Sequence, residues 1–438
     1  MTQAQRFGTI LVPELTLEWR ILRCFLTYIV YKYDGIKDGI MREVVITDIH
    51  YRMTMTAIWS LGKKGMTLSA VAFEDIPAKE RLGFYSKYVT QQYVIPSPRQ
   101  SVKHFINGLS EIGKSVLTRT GEKPILIIPS SATHEAIMRY DEDIKLYFDY
   151  MLVSREQLER ANNTQMLSEV AKAVGVPFPQ TTYLNEKEDI EALSQRITYP
   201  VVVKYQYAEK LNLKPHERYK IIHDKIHFQE VYKAMHAIQP QPLVQSYVSG
   251  YGYAVSVVFD DYHQPVEIFC HKRIREYPIS GGPSTLCESV WDDRMVNYAV
   301  QLLTALNWKG FAMVEFKGTL DGDLRLMEIN PRFWGSMMLS LQSGCDLPFA
   351  YYKATLGLAT PNRGIVYFKE RYQLKVRMQF VLQDLLATKS YYQKKPLNSL
   401  IPLQFIKDVL NPKVKDGIFR MFDPKPGLQY MMNAIFRR

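Results

Sequence analysis

Four short apolar runs early in the chain alternate with segments of helical spacing. Glu43-Val-Val-Ile-Thr-Asp48, Met66 to Phe73, Tyr93-Val-Ile95 and Pro124-Ile-Leu-Ile-Ile-Pro129 are rich in β-branched residues, whereas Met53 to Gly62 has helical periodicity. Strands that alternate with helices predict a parallel α/β layer, because parallel neighbours need a crossover connection. Such a domain is expected over residues 42–150. Ahead of it, residues 1–41 form an N-terminal extension. Its apolar run, Phe25 to Tyr31, is bounded by Arg20, Arg23 and Lys32 and is shorter than the roughly 20 residues that span a bilayer. An amphipathic helix is expected there, packed on the body or lying on a membrane surface.

Beyond residue 150 the pattern changes. Ser154-Arg-Glu-Gln157 offers an N-cap with a polar residue three positions later, and the helix it opens ends near Gly175-Val-Pro-Phe-Pro179. Tyr199-Pro-Val-Val-Val-Lys204 reads as a strand that delivers a lysine at its end. A helix follows around Phe228 to Ile238, then the extended run Leu243 to Val248. From residue 251 the chain reads as antiparallel strands: Tyr253 to Phe259, a turn at Asp260-Asp-Tyr-His263, and Val266 to Arg273. Asp292 to Leu306 has helical spacing. Gly310 to Lys317 and Leu324 to Ile329 form a strand, turn, strand unit around Asp321-Gly-Asp323.

That last unit carries the candidate chemistry. Residues two apart on a strand share a face, so Glu328 and Asn330 point the same way, and a hairpin can set Glu315 opposite them. Two carboxylates and an amide make a hard, all-oxygen set suited to Mg²⁺, which completes its shell with water or phosphate oxygens. An ordinary surface hairpin is the alternative. Lys204, at the end of an apolar strand, is a point charge suited to a nucleotide phosphate or a plain surface lysine. The backbone of Gln245-Ser-Tyr-Val248 could meet an adenine edge. Lys272, Arg273 and Arg275 lie on one strand and its end, and alternation sets Arg273 and Arg275 on one face, suited to a substrate carboxylate or transferred phosphate. Gly281-Gly-Pro-Ser-Thr285 is either a tight turn or an anion-binding loop.

Taken in order, Tyr199-Pro-Val-Val-Val-Lys204, Val-Gln-Ser-Tyr-Val-Ser-Gly250, His271 to Thr285, Met-Val-Glu315 and Met-Glu328-Ile-Asn330-Pro-Arg332-Phe-Trp-Gly335 resemble the ordered signatures of the ATP-grasp superfamily, and most its carbamoyl-phosphate-synthetase-like carboxylate-amine ligase branch. The resemblance spans about residues 42–360. It implies an α/β ATP-grasp fold: a Rossmann-like pre-ATP-grasp domain (42–150), then an ATP-grasp domain (151–360) made of a mobile α+β lid at about 165–244 and an antiparallel catalytic sheet. It implies phosphorylation of a carboxylate by ATP and attack of an amine on the acyl phosphate. Lys204 would hold phosphate oxygens, as would Lys220 and Lys272. Gln245, Ser246, Tyr247 and Val248 would line the adenine. Glu315, Glu328 and Asn330 would bind Mg²⁺, with Mn²⁺ as an alternative, and Arg332, Arg273 and Arg275 would face the reacting phosphate. The chain departs from the pattern in its lid loop, residues 205–215, which lacks glycine, and in Met313, where some of these ligases carry arginine. His263 and His271 are expected to be structural or surface residues.

Composition sharpens one region. The 438-residue chain carries a net charge of +11. Residues 361–438 hold 15 Lys and Arg against 5 acids, a balance of +10 that leaves the rest about neutral. This tail also has apolar helical stretches at Met378 to Leu386, Leu403 to Leu410 and Tyr430 to Phe436. It is expected to be a basic helical extension, packed on the body, lying on an anionic membrane, or touching nucleic acid; nucleic-acid-reading motifs are absent, so no nucleic-acid partner is expected. The four cysteines form no CxxC pair, and reduced thiols are expected. With neither a secretory signal nor a spanning helix in the pattern, a cytoplasmic enzyme is expected, peripheral to the inner membrane face if the tail binds lipid. Its partners would be a small carboxylate and a small amine, with a homodimer as one assembly. The competing function is a catalytically reduced ATP-grasp-like nucleotide-binding scaffold at a membrane surface.

Overall fold

The computed structural model describes residues 41–184, 189–206, 211, 213, 217–278, 282–318, 322–359, 364–394 and 400–436. The expected N-terminal helix, most of the glycine-free lid loop, and Gly281 and Asp321 lie outside them.

The chain from Arg42 first builds β1 (Val44–Ile46), α1 (Met55–Gly62), β2 (Leu68–Phe73), β3 (Val89–Ile95), α2 (Val102–Thr120), β4 (Ile125–Ile127), α3 (Ser131–Met138) and α4 (Asp141–Lys145). The four strands are parallel in the order β3-β2-β1-β4. Every residue of β1, β2 and β4 is buried, which is why these segments read as continuous apolar runs. Val44, Ile46 and Ala70 face one core, while Val45, Val71 and Leu126 face the other.

Next come α5 (Arg155–Asn162), which the Ser154 and Gln157 capping box opens, and α6 (Thr164–Ala173). The lid follows: β5 (Thr181–Thr182), α7 (Ile190–Arg196), β6 (Val201–Lys204), β7 (Tyr219–Ile222), α8 (Lys225–Ile238) and β8 (Leu243–Ser246). Its antiparallel sheet runs β5-β8-β6-β7 over a separate core of Leu193, Val201, Val203, Phe228, Tyr232 and Val244. The range 165–244 was expected for the lid, but Leu167, Val170 and Ala171 of α6 are packed in the core of the large sheet instead.

That large sheet contains β9 (Tyr251–Phe259), β10 (Pro265–Glu276), β11 (Ser284–Val290), β12 (Gly310–Gly318) and β13 (Leu324–Asn330), with α9 (Asp293–Ala305) inserted before β12. The chain continues through α10 (Met337–Ser343), α11 (Leu347–Thr355), α12 (Ile365–Lys369), β14 (Arg377–Gln379), α13 (Val381–Lys394), α14 (Leu400–Leu410), β15 (Val414–Asp416) and α15 (Pro424–Ile435). The order is β13-β12-β9-β10-β11-β14-β15, antiparallel except at the β14–β15 pair. Residues 361–438 are therefore not purely helical. Met378, expected in a helix, pairs with Cys287 at the β11 side of the large sheet, and its side chain, with those of Phe380 and Ile418, joins a core shared with Trp59 of α1 and Tyr351 of α11.

One buried acid makes this core sensitive to pH. Glu267, on β10, is pushed up to about 7 by burial, against the pull of nearby Arg371. Between its ordinary value of 4.5 and about 7, the folded protein holds a proton that the unfolded chain releases, so stability falls as pH rises through that window. Glu267→Gln is expected to flatten the pH dependence of the melting temperature between about pH 5 and about pH 8. An unchanged slope would contradict the assignment.

A candidate ATP-grasp active site

The hairpin of β12 and β13 positions the acidic set through a β-bulge. Glu315 pairs with Glu328, but Phe316 pairs with Leu326, so Met327 is the extra residue. Strict alternation from Leu326, which faces the core under α9, would bury residue 328 there. The bulge instead sends Ile329 into that core and turns Glu328 and Asn330 to the face of Glu315. Asn330 Nδ2 donates to Glu315 Oε1 at 3.1 Å and to Glu328 Oε1 at 3.0 Å. Two carboxylate oxygens thus converge on one point beside an amide, and turning that amide over would bring its oxygen to the same place. This donor set fits Mg²⁺. Among the described residues there is no competing cluster of three His, Cys, Asp or Glu.

The charges around this point agree with that fit. Burial raises Glu315 to about 7; Arg273 opposes that rise and neighbouring Glu328 adds to it. Arg273 reaches Glu315 Oε1 at 2.5 Å. Lys204, at the end of β6, is drawn down by burial and held up by the charge of Glu328, so it lies within electrostatic reach of that carboxylate. Arg332 lies within electrostatic reach of both Glu315 and Tyr51. It therefore stands between the acidic set and the C-terminal edge of the parallel sheet, where Phe333 N–H donates to Pro129 O at 3.2 Å.

At that edge the strand order changes direction between β1 and β4, the position where open α/β sheets bind ligands. Asp48 follows β1 and His50 and Tyr51 follow it. Asp48 is buried, with Thr47 Oγ1 donating to it at 2.7 Å. Sequence reasoning missed this wall; the only signal was that polar residues follow each apolar run.

At the segment expected to meet the adenine lies a cavity of about 380 Å³, lined by Gln180, Ser246, Tyr247, Val248, Asp323 and Arg325 among others. Its size suits a small-molecule ligand. Ser246 N–H is engaged by Gln180 O and Tyr247 N–H by Pro200 O, so those two donors serve the fold. Gln245 is buried, and its side-chain amide donates to Thr181 Oγ1 at 2.9 Å, which makes it a brace behind the cavity. Gly250 is required just before β9: at φ +108, a Cβ there would lie 2.2 Å from Gly318 O.

Three expected site residues fall elsewhere. Arg275 does not share the face of Arg273. A second bulge, at Ile274, separates them, and Arg275 is buried against Asp384 and Asp408, both at 2.7 Å. Lys272 points to the opposite face from Arg273 and sits over the Tyr251 ring at 3.6 Å. Lys220 pairs with Val203, on the helix-covered face of the lid sheet, and is exposed there, whereas Lys204 lies on the other face. His271 is structural: burial lowers it to about 3, and its Nε2 lies 2.9 Å from Ser336 Oγ.

A family described as "ATP-grasp in the biosynthetic pathway with Ter operon" matches residues 239–379. Among solved structures, the biotin carboxylase of Campylobacter jejuni, determined as a β-γ-ATP complex, is similar at 16% identity and a TM-score of 0.57, over 77% of this chain and 74% of that one. The biotin carboxylase domain of the Hydrogenobacter thermophilus 2-oxoglutarate carboxylase, solved with MgADP and bicarbonate, has a TM-score of 0.57 at 14% identity, over the same shares of the two chains. An ADP complex of N5-carboxyaminoimidazole ribonucleotide synthetase has a TM-score of 0.54 at 14% identity, over 73% and 78% of the two chains. The solved structures share the ATP-grasp fold, and residues 239–379 match an ATP-grasp family.

Proposed function

We propose that the protein is an ATP-dependent carboxylate-amine ligase that joins an amine to a carboxylate, releasing ADP and phosphate, with an amino acid or similar molecule as a substrate. The observation that carries this reading is the convergence of Glu315, Glu328 and Asn330 beside Arg273, with Lys204 and Arg332 within electrostatic reach of the carboxylates.

Phosphoryl transfer asks the protein chiefly for alignment and charge neutralisation. Mg²⁺ held by Glu315, Glu328 and Asn330 would supply the neutralising charge at the phosphates. Lys204 would fix the phosphate chain from the lid. Arg273, rigid on the sheet and tied to Glu315, would steady the transferred group, and Arg332 would orient the carboxylate between that group and the Tyr51 wall. Once the acyl phosphate forms, the amine attacks its carbonyl carbon, the amine loses a proton, and phosphate leaves with the bonding pair. The same two arginines face the charge that develops on the tetrahedral oxygen.

The reading is tested by ADP release under Mg-ATP with mixed carboxylates and amines, which should require both substrates. Lys204→Met is expected to weaken nucleotide binding by about tenfold or more, since loss of one charge-assisted phosphate contact is worth about 1.5–3 kcal/mol. Unchanged affinity would remove Lys204 from the site. We infer as well that the enzyme works beside an anionic membrane surface, to which its basic C-terminal segment would be drawn. Among the described residues no helix is long and apolar enough to cross a membrane.

A further inference from the structure

A cluster of cations lies outside the active site, where α1 meets the C-terminal segment. Lys63 Nζ sits 3.5 Å from the centre of the Phe422 ring, and the Arg420 guanidinium stands 5.5 Å over Trp59. Trp59 and Tyr88 both meet Phe422 edge-on, and Lys87 lies over Tyr88. An aromatic floor thus carries Lys63, Lys87 and Arg420, brought together from segments more than 300 residues apart. Burial and then Arg420 depress Lys415, whose Nζ donates to Gln342 O at 3.1 Å.

These cations lack acidic partners. Lys64 pairs with Asp346, but among the described residues no carboxylate lies in ion-pair range of Lys63, Lys87, Lys415 or Arg420. The two nearby acids are spent on neutral donors. Asp423 accepts from Trp59 Nε1, Ser86 Oγ and the Lys87 N–H, and Asp416 accepts from the N–H groups of Ile418 and Phe419. Arg420 Nη1 is engaged by the Asp416 and Phe419 carbonyls, but its buried Nη2 has no partner. Burial and then repulsion from Arg420, Lys64 and Lys87 depress Lys63, and burial lowers Arg420 to about 10 against the pull of Asp416. A set of like charges held together on rigid aromatic rings is what an anion would relieve.

The apolar neighbour of this cluster says which anion. α15 starts one residue past Asp423, and its outer face presents Leu428, Met431, Met432 and Ile435, the last 64% exposed, followed by Phe436 at 70%. These positions repeat at three and four residues, one stripe of a helix. Met421, between Arg420 and Phe422, is 83% exposed. Cations beside an exposed apolar stripe, in a segment that carries nearly all the net charge of the chain, complement an anionic lipid surface.

We propose that Lys63, Lys87, Arg420 and Lys415 form a site for the phosphate of an anionic lipid headgroup, with the stripe of α15 resting among the acyl chains beside it. This rests on the inference that the protein works beside a membrane and names where and how it does so. It is independent of the ligase chemistry, because none of these residues belongs to the catalytic set.

The test is co-sedimentation of the full chain with phosphatidylcholine vesicles, with and without phosphatidylglycerol. The wild type is expected to pellet only with the anionic vesicles. Lys63→Glu combined with Lys87→Glu, both at exposed positions, is expected to weaken that binding by about tenfold or more, as is Ile435→Asp, while ADP release in solution stays at the wild-type level. Undiminished binding by the double variant would overturn the cation site. If inorganic phosphate protects the wild type but not the double variant against thermal unfolding, and no vesicle is bound, the anion comes from solution and the lipid assignment falls. If Ile435→Asp dissociates an oligomer without changing vesicle binding, a second copy covers the stripe and the insertion is wrong.

Discussion

Glu328→Gln is expected to lower ADP release by about three orders of magnitude while leaving the fold intact, a loss of roughly 4 kcal/mol in transition-state stabilisation. The substitution keeps the size of the side chain and, at this exposed position, removes no core contact. What it removes is one of the two carboxylate oxygens that converge at Asn330, together with the negative charge that Lys204 faces. The amide oxygen left behind is a weaker ligand for a hard cation, and the phosphate chain would lose the metal that neutralises it. Melting temperature and turnover measured on the same preparation separate the two effects. A variant that melts like the wild type but has lost turnover supports the assignment, whereas normal turnover would remove Glu328 from the metal site.

Asp384→Ala is expected to act on stability instead, by about 3–5 kcal/mol. Asp384 is fully buried on α13 and accepts from Arg275 Nε at 3.0 Å, Arg275 Nη2 at 2.7 Å, Thr285 Oγ1 at 2.6 Å and Gln379 Nε2 at 2.8 Å. Truncating it strands a buried guanidinium that Asp408 alone must compensate. The position also ties the C-terminal segment to β10 and β11 of the catalytic sheet. Chemical denaturation should therefore show a lower midpoint, and Asp384→Asn, which keeps a hydrogen-bond acceptor, should fall between the two. A loss below about 1 kcal/mol would mean that the buried network adds little to the attachment of the segment.

The contrast between these two aspartate and glutamate positions shows what the sequence could convey. Glu328 and Asn330 were legible because alternation on a strand and the pairing of a hairpin are local rules, and because Lys204 ends a strand whose apolar residues announce it. The parallel layer was legible for the same reason, since β1, β2 and β4 are buried on both faces. Bulges are where local rules fail. Period-two alternation set Arg273 and Arg275 on one face, but the extra residue Ile274 sends Arg275 to Asp384, more than 100 residues away in the chain. The hairpin escaped the same error only because its own bulge at Met327 comes before both Glu328 and Asn330.

Long-range partnerships had no local signal at all. Met378 reads as the start of a helix, yet it is a strand residue because the open edge of β11 is there to receive it. Alternation sets Lys272 and Arg273 on opposite faces of the strand, but that one face meets Tyr251 and the other Glu315 depends on partners elsewhere in the chain. The basic tail likewise looked like a separate extension. Its strands complete the catalytic sheet, and only part of its charge gathers with Lys63 and Lys87 into a cluster whose other half lies some 350 residues earlier.

Hydroxylamine trapping tests the ligase reading most directly. As a small nucleophilic amine it captures an acyl phosphate as the hydroxamate, so the protein with Mg-ATP, a carboxylate pool and hydroxylamine should release ADP and form hydroxamate in equal amounts, and Glu328→Gln should form neither. Binding of Mg-ATP without hydroxamate or ADP from any carboxylate would contradict the account and favour a nucleotide-binding scaffold.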